Sequence, residues 1–283
     1  MSISNADQAD FWNSEPGQNW VKFAADLDEI HRNVTDLLLE ASEATDGERI
    51  ADIGCGAGAS TFALAVRAGP SGHVTGIDVS APLLQLAKDR KANLNIPNTS
   101  FKLADAQDHV FPPEEFDLVA SRFGLMFFAD PVAAFRNLFG TTRRGGRIAF
   151  VAWAGPDRNP WFRLPQAIAI DHLGPVPSVP PEAPGPMAFR DIDRVVGILE
   201  AAGFSDCQGQ CVATNLYHPG GLNAVIRLAS HVGPTARIVR TKGGSAEDHA
   251  MIMKRVADAL TEFDRPDGIR IPAGINVFRA RRH

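Results

Sequence analysis

The run Ile50-Ala51-Asp52-Ile53-Gly54-Cys55-Gly56-Ala57-Gly58 constrains this chain more than any other stretch. An apolar lead enters it, glycines at alternate positions close it, and the helix-compatible Ser60-Thr61-Phe62-Ala63-Leu64-Ala65-Val66-Arg67 follows. That order spells strand, tight turn, helix. Glycine is needed where φ is positive or where a ligand must meet bare backbone. At the carboxyl end of a first parallel strand, such a turn holds a nucleotide-like ligand. The unit then repeats. Strands at 49–53, 73–78, 99–103, 116–120 and 147–153 alternate with helices near 59–68, 82–92 and 131–140. Repeated βα units predict an α/β fold, a parallel sheet with helices on both faces.

The flanks are less regular. Residues 1–20 are polar apart from Phe11, Trp12 and Trp20. Phe23, Leu27, Ile30, Val34, Leu37 and Leu38 recur at helical steps, which predicts one helix over 21–45 ended by Asp46-Gly47. Tryptophans in a polar arm are unusual: either the arm is a helix simply packed on the core, or Trp12 and Trp20 close over the ligand. Prolines crowd 156–186 and predict an extended surface segment. A helix over 191–202, a strand over 206–214, helices over 220–232 and 245–264, and a final strand over 268–280 complete the chain. Pro272 confines that last strand to an edge position or to the residues after it. The division is an N-terminal arm or lid (1–45), a ligand-binding core (46–154), a Pro-rich cap segment (155–190), a core continuation (191–214), a helical cap insertion (215–268) and a C-terminal core strand (269–283). The insertion is longer than a hairpin needs.

With 283 residues, 45% hydrophobic and 22% charged, the chain fits one soluble globular domain with a cap. The net charge of −5 offers no basic surplus for nucleic acid. Cys55, Cys207 and Cys211 form no disulfide framework, which points to a reducing, cytoplasmic setting. No His or further Cys stands near Cys207 and Cys211 at metal-ligand spacing, so no metal is expected. No apolar run approaches the ~18 residues of a membrane span.

Gly54-Cys55-Gly56-Ala57-Gly58-Ala59 satisfies the loose dinucleotide pattern, and no Gly-Lys-Ser/Thr follows that would make it a phosphate loop. Asp78, about 20 residues past the loop, can take both ribose hydroxyls. Dehydrogenases and methyltransferases share that feature. Asp52, just before the first glycine, would face a pyrophosphate unfavourably, but suits an ammonium group such as the methionine end of S-adenosylmethionine. It can also serve as a strand-end acid bonding nearby groups. Asp105-Ala106, after the third strand, offers an acceptor for an adenine amino group, or simply a turn-forming Asp.

These residues, with Gly76-Ile77-Asp78-Val79-Ser80, Phe116-Asp117-Leu118-Val119-Ala120-Ser121-Arg122-Phe123-Gly124-Leu125-Met126-Phe127-Phe128 and Arg144-Gly145-Gly146-Arg147, follow in one order over about 49–153. In that order the chain resembles the class I S-adenosylmethionine-dependent methyltransferases, most closely the ubiquinone/menaquinone-type branch from Ser121 to Pro131. The resemblance implies a Rossmann-like, doubly wound seven-stranded sheet of five parallel strands plus an antiparallel pair, with a helical cap. It implies that Asp52, Gly54, Cys55, Gly56, Gly58, Asp78, Val79, Asp105, Ala106 and Ser121 bind the cofactor, and Trp20 is added from the arm. Asp52 would meet its methionine end, Asp78 its ribose, Asp105 its adenine, and Ser121 would lie beside the transferred methyl. The product is S-adenosyl-L-homocysteine.

Methyl transfer from a sulfonium is an in-line displacement, so the protein chiefly positions the nucleophile and excludes water. A base is needed only if the acceptor arrives protonated. His31, His109, His172, His218 and His231 are the histidines weighed for it. His172 with Asp171, and His31, are the weak catalytic candidates. Arg122, Phe123, Met126 and Phe127 after the fourth strand, with Trp153 and Trp161, are expected to line an acceptor pocket for a small, apolar or aromatic molecule. The partner expected is that acceptor, with no nucleic acid and a homodimer left open. Two competing readings are an NAD(P)-dependent oxidoreductase and a relative that binds the cofactor without turnover. Against the first stands the lone Tyr217, followed by Gly221 where a Tyr-x3-Lys pair needs lysine.

Overall fold

The computed structural model describes residues 5–283; residues 1–4 of the expected arm lie outside the described residues. The chain begins with helices α1 (Ala6–Asn13), α2 (Glu15–Lys22), α3 (Ala24–Ile30) and α4 (Arg32–Ser42). The βα units follow: β1 (Arg49–Ile53), α5 (Ala59–Ala68), β2 (His73–Asp78), α6 (Ala81–Leu94), β3 (Thr99–Leu103), β4 (Phe116–Arg122), α7 (Pro131–Thr141) and β5 (Thr142–Trp153). Then come α8 (Pro160–Leu173), α9 (Ile192–Ala202), β6 (Ser205–His218), α10 (Gly221–Ala229), α11 (Pro234–Lys242), α12 (Ala246–Leu260), β7 (Asp264–Arg265) and β8 (Gly268–Arg281).

Among the described residues the strands form one sheet in the order β3-β2-β1-β4-β5-β8-β6, with β7 appended to β8. β1 to β5 pair in parallel. β8 runs antiparallel between β5 and β6. The expected sheet of five parallel strands and an antiparallel pair is therefore present, and the two-residue β7 makes an eighth strand. Helices cover both faces, so the central strands are buried along their length: Phe116 through Ser121 of β4 are all buried. The chain order reverses between β1 and β4. That is the topological switch point at which ligands bind in open α/β sheets.

The arm corrects one expectation. The single helix over 21–45 is broken at Phe23 (φ −104°, ψ 18°) and His31 (φ −97°, ψ 11°). Both breaks are kinks, because the hydrogen bonds Phe23 N–H to Asn19 O, Leu27 N–H to Phe23 O, His31 N–H to Leu27 O and Thr35 N–H to His31 O carry across them. The kinks keep Leu27, Ile30, Val34 and Leu38 buried as the chain wraps the sheet. The helical period fixes the stripe, but it does not fix where the axis bends.

The cap corrects others. Pro160–Leu173 of the Pro-rich segment is helical, with Pro160 in the first turn and Pro165 inside. α11 adds a helix between the two expected ones, opened by Pro234 and closed by Gly243 in the left-handed conformation. β6 runs on to His218, past 214. Pro272 stands opposite Asn215 of β6, in the half of β8 that extends beyond its pairing with β5, so its missing N–H costs no central ladder bond.

Arg147 bolts α4 to the sheet. Its guanidinium donates to Ser42 O at 2.7 Å, to Glu43 O at 2.9 Å and to both Glu48 carboxylate oxygens at 2.7 and 2.9 Å. Burial pushes the Glu48 carboxyl upward, and the bonds from Arg147 and Thr45 N–H outweigh it, so the net shift is downward. A depressed carboxylate stabilises the fold above its unfolded pKa and loses that contribution as pH falls through the folded value. Arg147→Met is expected to lower unfolding free energy by about 1.5–3 kcal/mol in urea at pH 7. The deficit should shrink below pH 4; a constant deficit across pH would reject the ion-pair account.

Candidate functional site

The site begins where β1 leaves the sheet. Gly54 adopts φ +66°, and a Cβ there would stand 2.5 Å from Gly124 Cα, so the backbones after β1 and β4 touch in a way only glycine permits. Gly56 (φ +53°) has nothing within 4 Å of a Cβ position. Its bare backbone therefore faces open space, and Gly58 then caps α5 at φ +88°. Cys55 is buried beneath the loop, its sulfur 2.9 Å from where a Gly76 Cβ would lie. Burial, then Asp78 and Asp52, push its thiol pKa well up, so it is no nucleophile.

Asp78 ends β2 and stitches the loop in place. Its Oδ2 accepts Gly56 N–H and its Oδ1 accepts Ser80 N–H, both at 2.8 Å. Each carboxylate oxygen keeps a further lone pair, enough for a ribose diol. Burial raises its pKa despite those bonds. Asp52 is fully buried. Its Oδ2 accepts the hydroxyls of Ser60 (2.7 Å) and Thr61 (2.6 Å) from the first turn of α5. Its Oδ1 has no partner. Burial raises the Asp52 pKa to about 6; Thr61, Ser60 and Arg122 pull it down and Asp78 pushes it up. A buried carboxylate, Asp52, with one unpartnered oxygen, and a half-buried one, Asp78, thus flank the loop. Such a cradle fits a cationic ligand and repels a pyrophosphate.

Asp105 makes a turn, its Oδ1 accepting Gln107 N–H at 2.9 Å. Ala106 is buried, and its carbonyl accepts Asn137 Nδ2. Val79 O accepts Asn13 Nδ2 of the arm at 2.9 Å, and Ala81 N–H donates to Asn13 Oδ1 at 3.0 Å. Ser80 Oγ donates to Trp12 O. The arm is thereby pinned across the end of β2. Trp12 and Trp20 meet edge to face at 5.4 Å and pack with Ala57 of the loop, Ala24 and Leu83. Two clefts of about 230 and 330 Å³ lie elsewhere, one lined by Arg147 and Arg279, the other by Pro219 and Asp264. The arm covers the loop, so buried charge rather than an open cavity identifies the site.

At the end of β4, Ser121 Oγ donates to Ile53 O at 2.7 Å and accepts Gly124 N–H at 3.1 Å, clasping β4 to β1. Phe123 is held at φ +66°, a strained value for a bulky residue. Its ring stacks on Trp153 at 4.3 Å and 7°. His31 meets both rings edge-on, at 5.4 and 5.8 Å, and Phe162 meets Trp153 at 4.9 Å. Phe127 is half-buried against Trp12, while Met126 and Trp161 are buried in the core. Burial first, then Arg122, lower the His31 pKa to about 3, so its imidazole stays neutral.

The other titratable candidates are engaged elsewhere. His172 pairs with Asp248 at 2.8 Å and Asp171 with Arg255 at 2.8 Å, both across to α12. His218 pairs with Asp26, and His231 lies beside Phe23. His109 follows Asp105, with its Nε2 buried and unpartnered and its ring edge-on to Phe111. Sequence reasoning missed Asn13, Asp28, Thr35, Ser60, Thr61 and Arg90. The Ser60-Thr61 pair, hydroxyls on the first turn after the loop, was a readable signal. The others depend on tertiary contacts.

Residues 44–156 match the family model of a methyltransferase domain. The chain is similar to the aklanonic acid methyltransferase DauC of Streptomyces sp. (strain C5), 36% identical over 143 residues, covering 48% of this chain and 64% of that protein. It is also similar to the ubiquinone/menaquinone biosynthesis C-methyltransferase UbiE of Pseudomonas aeruginosa, 31% identical over 131 residues, covering 46% and 51%. The match thus spans about half to two thirds of these relatives' length. The fold is similar to that of Haemonchus contortus phosphoethanolamine N-methyltransferase 2 in complex with S-adenosyl-L-methionine, at TM-score 0.58 and 16% identity over 99% of this chain and 60% of that one. The ordered motifs, the sheet with its switch point and these likenesses agree: residues 44–156 match a methyltransferase domain, and the chain is similar to S-adenosylmethionine-dependent methyltransferases, those of the ubiquinone/menaquinone type among them.

Proposed function

We propose that this chain transfers the methyl group of S-adenosylmethionine to a small, apolar or aromatic acceptor. The observation that carries the reading is the pair of carboxylates, buried Asp52 and half-buried Asp78, set around bare glycine backbone, with Asp52 Oδ1 unpartnered. Asp52 would hold the donor's ammonium, Asp78 its ribose hydroxyls and Asp105 its adenine. Gly54, Gly56 and Gly58, with Cys55, Val79 and Ala106, would line it through backbone and apolar contact. Ser121, whose hydroxyl is committed to β1, would contribute through its backbone. When bound, the donor supplies a methyl already activated on a sulfonium sulfur, and no metal is required.

The chain's own work is then to orient and to exclude water. Trp12 and Trp20 form the cover. Phe123, Phe127 and Trp153, with Met126 and Trp161 behind them, form the apolar wall for the acceptor. A neutral His31 with a pKa of about 3 holds a proton poorly. That favours an acceptor already ionised at neutral pH over one that needs a strong base. One relative is named as a methyltransferase of an acid, aklanonic acid. Among the described residues no helix is long and apolar enough to cross a membrane. Action in the cytoplasm on a small molecule, without nucleic acid, fits the net charge of −5 and the free cysteines.

Asp78→Ala is expected to weaken S-adenosylhomocysteine binding by about 10- to 100-fold in calorimetric titration. Unchanged affinity, or tight binding of NADH by the wild type, would count against the donor reading. The ionised Asp52 is the form that holds an ammonium, so affinity should rise with pH from 5 to 7, around the Asp52 value of about 6. Asp52→Asn should flatten that profile, and a profile identical to wild type would remove Asp52 from the site. Turnover with a panel of acceptors separates an enzyme from a relative that only binds the donor.

A further inference from the structure

Among the described residues three buried side-chain atoms have no hydrogen-bond partner: Asp52 Oδ1, His109 Nε2 and Thr235 Oγ1. The first two belong to the loops after β1 and β3. Thr235 stands apart from them, in the cap, on the first turn of α11. It is fully buried. A hydroxyl shut away from water without a partner is costly to the fold.

Thr235 lies at the uncapped end of its helix. The N-cap residue is Gly233, which has no side chain to accept the first-turn N–H groups, and Pro234 follows it. The N–H groups of Thr235 and Ala236 therefore have no capping side chain. A Cβ at Gly233 would meet nothing within 4 Å, so there is room beside them. Cα–Cβ bonds tilt toward the N-terminus of a helix, so the Thr235 hydroxyl is carried toward that same end. A hydroxyl donor, two amide donors and the positive end of the helix dipole meet there.

The charges around the turn favour the same kind of ligand. His231, two residues before Gly233, rests on the ring of Phe23 at 4.9 Å, and Lys22 Nζ stands 5.1 Å over that ring. α11 itself carries Arg237, Arg240 and Lys242, and no acid. The acids of α2 and α3 are engaged: Glu15 with Arg240, Asp26 with His218 and Arg227, Asp28 with Arg90, and Glu29 with Arg32. The turn thus lies in a basic corner between the arm and the cap.

We infer that the N-terminus of α11 is an oxyanion site that takes a carboxylate or phosphate group through Thr235 Oγ1 and the first-turn N–H groups. The space beside Gly233 gives that group its approach. The site shares no residue with the donor cleft, so it stands or falls independently of the donor reading.

The test is calorimetric titration of the full chain with inorganic phosphate and with benzoate, at constant ionic strength. Wild type should bind one of them with a dissociation constant of about 1 mM or tighter. Thr235→Val, which keeps the shape and removes the hydroxyl, should weaken that binding about 10-fold. Thr235→Ser should retain it to within about threefold. Without anion, Thr235→Val should unfold at or above the wild-type temperature, because the hydroxyl it removes has no partner. With anion, wild type should gain more in unfolding temperature than Thr235→Val. Tighter binding of phosphate identifies a phosphate ligand, and tighter binding of benzoate an organic acid. Equal binding by wild type and Thr235→Val means that surface cations hold the anion, and overturns the site. An anion-free Thr235→Val that melts clearly below wild type gives the hydroxyl a protein partner and overturns it too. Wild type that binds neither anion overturns it whether or not the variants fold.

Discussion

The contact between Gly54 and Gly124 is the constraint on which the site depends. A Cβ on either residue would meet the other's backbone below 3 Å, so the chain leaves β1 and β4 along paths that touch. Ser121 locks that approach from beneath, with one hydroxyl bonded to both strands' ends. Because β1 and β4 flank the switch point, the contact fixes the floor of the cleft. It also fixes where the next residues go. On one side the loop presents Gly56 to open space. On the other, Arg122 points to α3 and α4, and Phe123 takes a left-handed backbone that lays its ring on Trp153. The proposed donor floor and acceptor wall would thus be set by the same few backbone atoms.

Electrostatics then select the ligand. Buried carboxylates are costly unless something compensates them. Asp78 is compensated by Gly56 and Ser80 amides, and Asp52 only on one oxygen. Protein groups alone leave the pair underneutralised, as the raised Asp52 pKa reflects. On the proposed reading, the ammonium of the bound donor would remove that deficit. The two hydroxyls of α5 illustrate how an acid can be both structural and functional. Ser60 and Thr61 hold one Asp52 oxygen, and in doing so they aim the other.

The sequence carried the sheet and the loop legibly because both follow from local rules. Alternating strand and helix periods gave β1 to β5, and the loop glycines gave the positive-φ turn. The carboxylates Asp52 and Asp78 were legible for the same reason, each falling at a strand end. The α3–α4 boundary was not legible. The apolar stripe from Phe23 to Leu38 has one helical period, and the kinks at Phe23 and His31 come from wrapping a sheet that the local sequence does not encode. Arg122 was singled out, but its neighbours were not. Asp28, Thr35 and Arg90 come from three different elements, and no spacing rule joins them. α8 hid behind its own prolines, since Pro160 starts the helix and Pro165 is tolerated inside it. α11 is the opposite case: Pro234 and Gly243 were start and stop signals in plain view.

The arm joins these threads. Asn13 gives both ends of its amide to the backbone around Asp78, Asn5 Oδ1 accepts Ala129 N–H past the end of β4, and Trp12 and Trp20 rest on Ala57. The arm therefore touches the loops after β1, β2 and β4, the same loops that would meet the donor. Its kinked continuation carries Asp28, which reaches Arg90 and Arg122 beneath. One segment thus both covers the glycine loop and carries a carboxylate to the arginines beneath it. In a reaction that needs no covalent catalysis, orientation and dryness are most of what a protein can supply. On the proposed reading both would be built from one segment, so a change in the arm would act on donor binding and on water exclusion together.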